Sequence, residues 1–169
     1  MPAPYLKDFK EELGRVGDVV FKGRHRTPML IVIGKAAELV DDSQRGDKTM
    51  VAAPSGPSKQ ATALVDRVFT VNKAPHGQRG PIVLGRSSDN DIAIPEYSIS
   101  KRQCQFEFEP DGIKITDCGS TNGTIVEKER IPPREPVIIK DGTKISLGRF
   151  EFVFHTAAGF HAYVKSLLR

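Results

Sequence analysis

Apolar and polar residues alternate with a period of two over much of the second half of the chain. The clearest run is 104–109, where Cys104, Phe106 and Phe108 alternate with polar residues. This pattern predicts a half-buried strand, and the turn at 110–112 predicts that it continues as a hairpin. Further short apolar runs recur roughly every 8–12 residues between Gly and Pro turns. Residues 65–155 are therefore expected to form an all-β core, a sandwich of two twisted, mostly antiparallel sheets.

Helical spacing replaces this alternation on both flanks of the predicted sandwich. Apolar residues at helical intervals predict an N-terminal helix over 5–16 and an amphipathic C-terminal helix within 156–169. The apolar run 29–33 is rich in β-branched residues and predicts a short strand, although the preceding Thr27-Pro28 would also suit the start of a helix. Residues 1–40 are thus expected to be an N-terminal α/β appendage that packs on the core, or else a docking surface.

Residues 41–64 differ in character from both neighbours. They begin with a polar, acidic-leaning stretch and continue with a Pro/Gly/Ser string at 53–58. Such a composition cannot bury enough apolar surface to offset its ordering entropy. The sequence therefore predicts a flexible linker between the appendage and the sandwich.

Composition narrows the classes of function. The 169 residues include no apolar run near the ~20 that a membrane span needs and no signal-peptide core, so no membrane span and a cytoplasmic location are expected. The net charge of +4 is small, and the basic residues are interleaved with acidic ones along the chain. The sequence also shows no helix-turn-helix spacing, so no nucleic-acid partner is expected. Cys104 and Cys118 fit neither a disulfide scaffold nor a zinc site.

Three polar, turn-forming segments carry the candidate chemistry. They lie at 85–87, 98–102 and 119–124, and each follows an apolar run, which is typical of loops at strand ends. Together they supply a guanidinium, an ammonium, hydroxyls and a carboxamide, a set that suits a phosphate ester.

An enzyme is the competing class. Ser100 and four scattered histidines provide no nucleophile elbow, no phosphate-cradling glycine loop before a helix and no metal-ligand spacing. No catalytic residue, no metal and no cofactor are therefore expected.

The same segments, in their order and spacing, resemble the landmarks of the forkhead-associated (FHA) domain. The resemblance covers residues 65–155 and is closed by the turn-rich segment 141–148. It implies a phosphothreonine-binding β-sandwich in Ser/Thr kinase signalling, with a phosphothreonine-containing protein as partner. Asn90 and Asp91 are expected to order the loop after Arg86.

The resemblance also assigns individual residues. It implies that Arg86 and Ser100 bind phosphate, that Lys101 or Arg102 adds charge, that Thr121 supports the same oxygens and that Asn122 contacts the ligand's main chain. The loops would be supported by Gly85, Gln103, Gly119 and Gly123. The family usually has His at the Gln103 position, so weaker bracing of the Ser100 loop is expected. A constitutive interaction scaffold with a weakened phosphate site therefore stays open as an alternative.

Thr49 in the linker is a candidate phosphorylation site. It lies near Asp47 and is followed by apolar residues, similar to kinase-targeted segments that precede such domains in bacterial proteins. Phosphate would add about −1.5 to −2 charges and create an internal ligand for the Arg86 site. Capture within one molecule, or self-association through a neighbour, would then occupy the site. An unmodified linker threonine is the alternative.

Overall fold

The structure is a computed structural model that describes residues 2–36 and 63–169. The predicted linker lies outside these residues except for its last two positions, and the candidate Thr49 lies outside them as well.

Two sheets enclose the main hydrophobic core of the described chain. One sheet has the strand order β2-β1-β11-β10-β7-β8, with bounds β1 Met29–Lys35, β2 Val68–Thr70, β7 Thr124–Val126, β8 Glu129–Arg130, β10 Lys144–Leu147 and β11 Phe150–His155. The other has the order β4-β3-β5-β6-β9, with bounds β3 Ile82–Gly85, β4 Ile92–Ala93, β5 Cys104–Glu109, β6 Gly112–Asp117 and β9 Val137–Ile139. Pairing is antiparallel except between β3 and β4. The predicted sandwich is confirmed, and so is the hairpin of β5 and β6.

Strand β1 lies inside the first sheet rather than beside it. It pairs with β11, where Met29 faces His155, and with β2, where Leu30 faces Phe69. The strand predicted at 29–33 is therefore present, but the structure differs from the prediction that residues 1–40 form an appendage outside the sandwich. The cause lies in burial on both faces, since Leu30 joins the sandwich core while Ile31 joins a second core. A strand covered on both faces is apolar throughout, and such a pattern does not reveal its sheet partners.

Two helices cover the outer face of β1. Helix α1 spans Leu6–Arg24 and helix α2 spans Ala157–Ser166. The predicted end near Gly17 appears as a kink with φ of 78°, after which α1 resumes because Phe21 is fully buried. Phe9 and Phe160 meet edge to face with ring centroids 5.1 Å apart. No helix in the described parts of the chain combines the length and apolar character that crossing a membrane requires.

We call α1, α2 and the second core beneath them the helix layer. Its apolar residues are Phe9, Leu13, Phe21, Met29, Ile31, Val68, Phe160 and Val164. Charged pairs close its surface: Glu12 contacts Arg24 and His25, each at 2.8 Å, and Asp18 contacts His161 and Lys165, each at 2.8 Å. Hydrogen bonds from Lys165 and then His161 hold the pKa of Asp18 below its usual value.

Candidate functional site

Three loops meet at one end of the sandwich. They are the Arg86 loop (residues 86–91), the Ser100 loop (residues 94–103) and the Asn122 loop (residues 118–123). The backbone N–H of Arg86 donates to the carbonyl of Ser100 at 2.9 Å. The backbone N–H of Thr121 donates to Ser100 Oγ at 3.0 Å. Ser100 is thus in direct contact with both other loops, and the structure brings the three sequence segments together.

Gly85 and Asn90 fix the Arg86 loop against the Ser100 loop. A Cβ atom on Gly85 would overlap the carbonyl of Lys101 and lie 2.8 Å from Asn90 Nδ2, so no larger residue fits this approach. The buried Asn90 side chain donates to the carbonyls of Ser87 at 2.9 Å and Lys101 at 2.6 Å. These contacts hold the two loops in one register.

Asp91, which was expected to order the same loop, faces another part of the chain. Its carboxylate accepts from the backbone N–H groups of Ala74 and Val83, each at 2.9 Å, and contacts Lys73 Nζ at 2.8 Å. Asp91 therefore braces the connection between β2 and β3 instead.

Gln103 lies beneath the loops and is 1% exposed. Its Oε1 accepts from the backbone N–H of Ser100 at 3.0 Å. Its Nε2 donates to the carbonyl of Gly123 at 3.0 Å and to Thr124 Oγ1 at 3.2 Å. One buried amide therefore links the Ser100 loop to the Asn122 loop.

Asp117 organises the base of the Asn122 loop. Its Oδ2 accepts from the backbone N–H groups of Gly119 at 2.9 Å and Ser120 at 3.0 Å. Its Oδ1 accepts from the hydroxyls of Ser120 at 2.5 Å and Thr124 at 2.7 Å. Burial acts to raise the pKa of Asp117, but the hydrogen bonds from these hydroxyls and N–H groups outweigh it and lower that pKa. The carboxylate therefore stays ionised at neutral pH and keeps its acceptors filled. Gly123, with φ of 81°, supplies the left-handed turn that ends the loop.

A buried ion pair anchors the other end of the Ser100 loop. Glu96 accepts from Arg149 Nε at 2.8 Å and Nη2 at 3.1 Å, and from the hydroxyl of Ser98 at 3.0 Å. The same hydroxyl accepts from the backbone N–H of Arg149 at 3.0 Å. Ile99, next to Ser100, is completely buried. This anchor could not be predicted from the sequence, because no local pattern links two residues that lie so far apart in the chain.

The residues assigned to ligand contact differ from those that hold the loops. Five of the residues assigned to ligand contact have exposed side chains: Arg86, Lys101, Arg102, Thr121 and Asn122. Within the described residues, none of these five side chains makes a hydrogen bond or an ion pair. Ser100 Oγ uses an acceptor position for the N–H of Thr121, so its own proton is available to a ligand. Such a surface can attract a dianion and donate several hydrogen bonds to it.

Cavities flank this surface on two sides. Arg86 lines a largely apolar cavity of about 570 Å³ together with Ala3, Phe69 and Pro95. Arg102 lines a different, polar cavity of about 440 Å³. Arg102 also lines a cavity with Asp89 and Asn90, so it adjoins the Arg86 loop as well as the Asn122 loop.

Two arginines that the sequence analysis did not single out lie against the Asn122 loop. The guanidinium of Arg130 occupies the space where Gly123 would carry a Cβ, and Arg134 Nη2 lies 3.3 Å from the corresponding point on Gly119. Both arginines follow the 119–124 segment in sequence, but only the return of the chain over β8 brings them back to the loop. The spacing of these arginines in the sequence does not predict their contact with the loop.

Comparison with known proteins identifies the class of this fold. Residues 82–148 match the family model of the FHA domain. The chain is 29% identical to an oxoglutarate dehydrogenase inhibitor of Corynebacterium diphtheriae over 62% of its length, and 28% identical to the glycogen accumulation regulator GarA of Mycobacterium tuberculosis over 63%. These alignments span only 63% and 57% of the two relatives.

A solved structure with the same fold is the FHA domain of an Arabidopsis thaliana hypothetical protein. It matches with a TM-score of 0.51 and 19% identity over 78% of this chain and 86% of that one. The match at this identity supports the fold.

Proposed function

Because residues 82–148 match the family model of the FHA domain, we propose that this chain is a non-catalytic receptor for phosphothreonine peptides in Ser/Thr kinase signalling. The observation that carries the proposal is the position of Ser100, whose carbonyl and hydroxyl contact the Arg86 and Asn122 loops at once. The names of the two relatives, an inhibitor and a regulator, agree with a regulatory rather than a catalytic protein. The proposed partner is a phosphothreonine-containing protein in the cytoplasm, with a Ser/Thr kinase acting upstream.

Each contact residue has a distinct part in the proposed complex. The planar guanidinium of Arg86 binds two phosphate oxygens, and the hydroxyl of Ser100 donates to one of them. Lys101 adds a mobile positive charge, Thr121 supports the same oxygens, and the carboxamide of Asn122 bonds to the peptide main chain. Charge-assisted hydrogen bonds contribute roughly 1.5–3 kcal/mol each, so two or three of them together with side-chain burial correspond to about micromolar affinity.

The alternative, a constitutive scaffold with a weakened phosphate site, was motivated by Gln103. Its amide makes hydrogen bonds to both neighbouring loops, so the replacement of the usual His leaves the bracing contacts filled. This observation favours the receptor.

Binding to a phosphothreonine peptide library tests the proposal. We expect the chain to retain phosphothreonine peptides and to release them after phosphatase treatment, while the Arg86→Ala variant retains none above background. Equal retention of phosphorylated and unphosphorylated peptides by both proteins would support the scaffold instead.

We further propose that phosphorylation of Thr49 switches the receptor by providing an internal ligand. This rests on the sequence around Thr49, which lies outside the described residues. A Ser/Thr kinase that modifies the wild-type chain should weaken its binding to an added phosphopeptide, and a Thr49→Ala variant should not respond. Unchanged peptide affinity and oligomeric state after stoichiometric phosphorylation would exclude the switch without affecting the receptor proposal.

A further inference from the structure

The polar cavity beside the Asn122 loop contains an unexplained pair of cations. Its walls are formed by Arg102, Gln105, Thr116, Asp117, Cys118 and Arg134, and its volume is about 440 Å³. The cavity carries two guanidiniums against the single carboxylate of Asp117, so its walls have an excess of positive charge that favours an anion. We infer that this cavity is a second anion subsite, which binds an acidic or phosphorylated residue near the phosphothreonine of the same peptide.

The backbone of Arg134 is fixed by a hydrogen bond and an unusual conformation. Its N–H donates to the carbonyl of Asp117 at 2.9 Å, and its φ of 64° lies in the left-handed region that residues other than glycine seldom adopt. This conformation directs the side chain back over Gly119, 3.3 Å from the position of a Cβ atom. A local backbone cost is thus retained at a point that places a cation against the candidate site.

Neither arginine forms an ion pair with the described residues. The structure records no ion pair or side-chain hydrogen bond for Arg102 or Arg134 among them. Asp117 is the acid of the cavity, but both of its oxygens already accept hydrogen bonds from the Asn122 loop and from Thr124. The two guanidiniums therefore keep their donors for a ligand.

Cys118 gives an independent indication that both cations face the same space. Burial raises the pKa of its thiol, and the charges of Arg102 and Arg134 act against that rise. Both guanidiniums are thus within electrostatic range of one sulfur atom.

The subsite is within reach of a peptide bound at Ser100. Thr121 N lies 3.0 Å from Ser100 Oγ, and Gly119 is two residues from Thr121. With about 3.8 Å between successive Cα atoms, Arg134 lies at most roughly 17 Å from the Ser100 hydroxyl. An extended peptide advances about 3.3 Å per residue, so the second anion is within about five residues of the phosphothreonine.

This inference rests on the proposed function, and a position scan separates the two. The full chain is titrated by fluorescence polarisation with an 11-residue phosphothreonine peptide of neutral flanks, and with variants carrying Glu at each flanking position. Phosphoserine is then placed at the preferred position. We expect Glu at one or two positions to bind about three- to tenfold more tightly than the neutral residue. If phosphoserine alone gives this preference, the source of the anion is a second phosphate rather than an acidic side chain.

Matched variants assign the preference to the cavity. Arg134→Gln should reduce the ratio of acidic to neutral affinities to within twofold of one, and Arg134→Lys should retain most of it. Arg15→Gln removes the same charge from an exposed position on α1 and should leave the ratio unchanged. The preference should also shrink between 50 mM and 500 mM salt because it is electrostatic.

Failure of the subsite and failure of the receptor proposal give different binding results. Binding of the neutral phosphothreonine peptide that depends on Arg86, without any preference for a flanking acid, would overturn the subsite and leave the receptor intact. A preference that survives in Arg134→Gln would overturn it as well. Absence of any phosphothreonine binding would overturn the receptor proposal and the subsite with it.

Discussion

The helix layer and the loop end of the sandwich use positive charge in opposite ways. In the helix layer, Arg24 and Lys165 each contact a carboxylate at 2.8 Å. At the loop end, Arg86 and Arg134 contact no carboxylate among the described residues, while the acids nearby already hold loop backbone or Arg149. The difference teaches that the cations closing the surface of the helix layer are paired with carboxylates, whereas Arg86 and Arg134 at the loop end are exposed without such a partner among the described residues. Such a group is what a receptor for anions requires.

The largest expected effect comes from Phe160 at the centre of the helix layer. Its ring is fully buried against Phe9 and Phe21, so Phe160→Ala should lower the free energy of unfolding by about 3–5 kcal/mol in urea titration. The affinity of the folded protein for a phosphothreonine peptide should stay within twofold of wild type. The milder Phe160→Leu provides the same comparison if the alanine variant does not fold. A loss of affinity without loss of stability would contradict the separation of the two regions.

Replacing Arg86 and Arg24 in parallel addresses the comparison directly. Arg86→Ala should weaken phosphopeptide binding by about 30- to 1000-fold, or roughly 2–4 kcal/mol, because it removes the proposed bidentate contact with phosphate. Its unfolding free energy should change by less than about 0.5 kcal/mol. Arg24→Ala should do the reverse, with unchanged affinity and a loss of at most about 1 kcal/mol of stability, since its ion pair is half exposed. Calorimetric titration and urea unfolding of both variants measure the two quantities. A stability loss in Arg86→Ala larger than its affinity loss would contradict this assignment.

Gln103 has a structural role, but it lies directly beneath the candidate site. Gln103→Ala leaves the N–H of Ser100 and the carbonyl of Gly123 without their partner, which should cost about 1–3 kcal/mol of stability. Affinity should fall less than in Arg86→Ala, because every residue proposed to contact phosphate is still present. Gln103→His should recover both quantities in part. Wild-type stability in Gln103→Ala would show that the bracing bonds contribute nothing.

The smallest effect is the acid response of the helix layer. Burial acts to raise the pKa of Glu12, but hydrogen bonds from Arg24 and His25 outweigh it and lower that pKa below the ordinary 4.5. A carboxylate with a lowered folded-state pKa stabilises the fold above its unfolded-state pKa and loses that contribution as pH falls through the folded-state value. Stability should therefore decline below about pH 4.5, and the decline should be shallower in Glu12→Gln. Unfolding titrations at pH 6, 4.5 and 3.5 measure the difference, and parallel curves would exclude this role for Glu12.

The parts of the fold that could be predicted from the sequence are those with one face exposed to solvent. Strands β5 and β6 could be predicted because Phe106 and Ile115 alternate with polar residues and a Gly turn joins the two. The place of β1 could not be predicted, because both of its faces are buried and its run is apolar without alternation. Likewise, the helix predicted over 5–16 continues past the kink at Gly17 to Arg24, and its added turns bury Phe21 in the second core.

The candidate site shows the same limit. Residues within one contiguous segment, such as Ser100 and Asn122, could be proposed because their turn chemistry is local. The anchor between Glu96 and Arg149 joins residues 53 positions apart, and the positions of Arg130 and Arg134 depend on the return of the chain over β8. Contacts of this kind are set by tertiary packing, on which local periodicity carries no information.

The pairing of β1 with β11 has a consequence for biosynthesis. Met29 leaves the ribosome about 125 residues before its partner His155. At about 5–20 residues per second this corresponds to a wait of roughly 6–25 s, during which β1 has no β11 to pair with. Pairing of β1 with β11 is therefore a late event, which must wait until the C-terminal part of the chain has been synthesised.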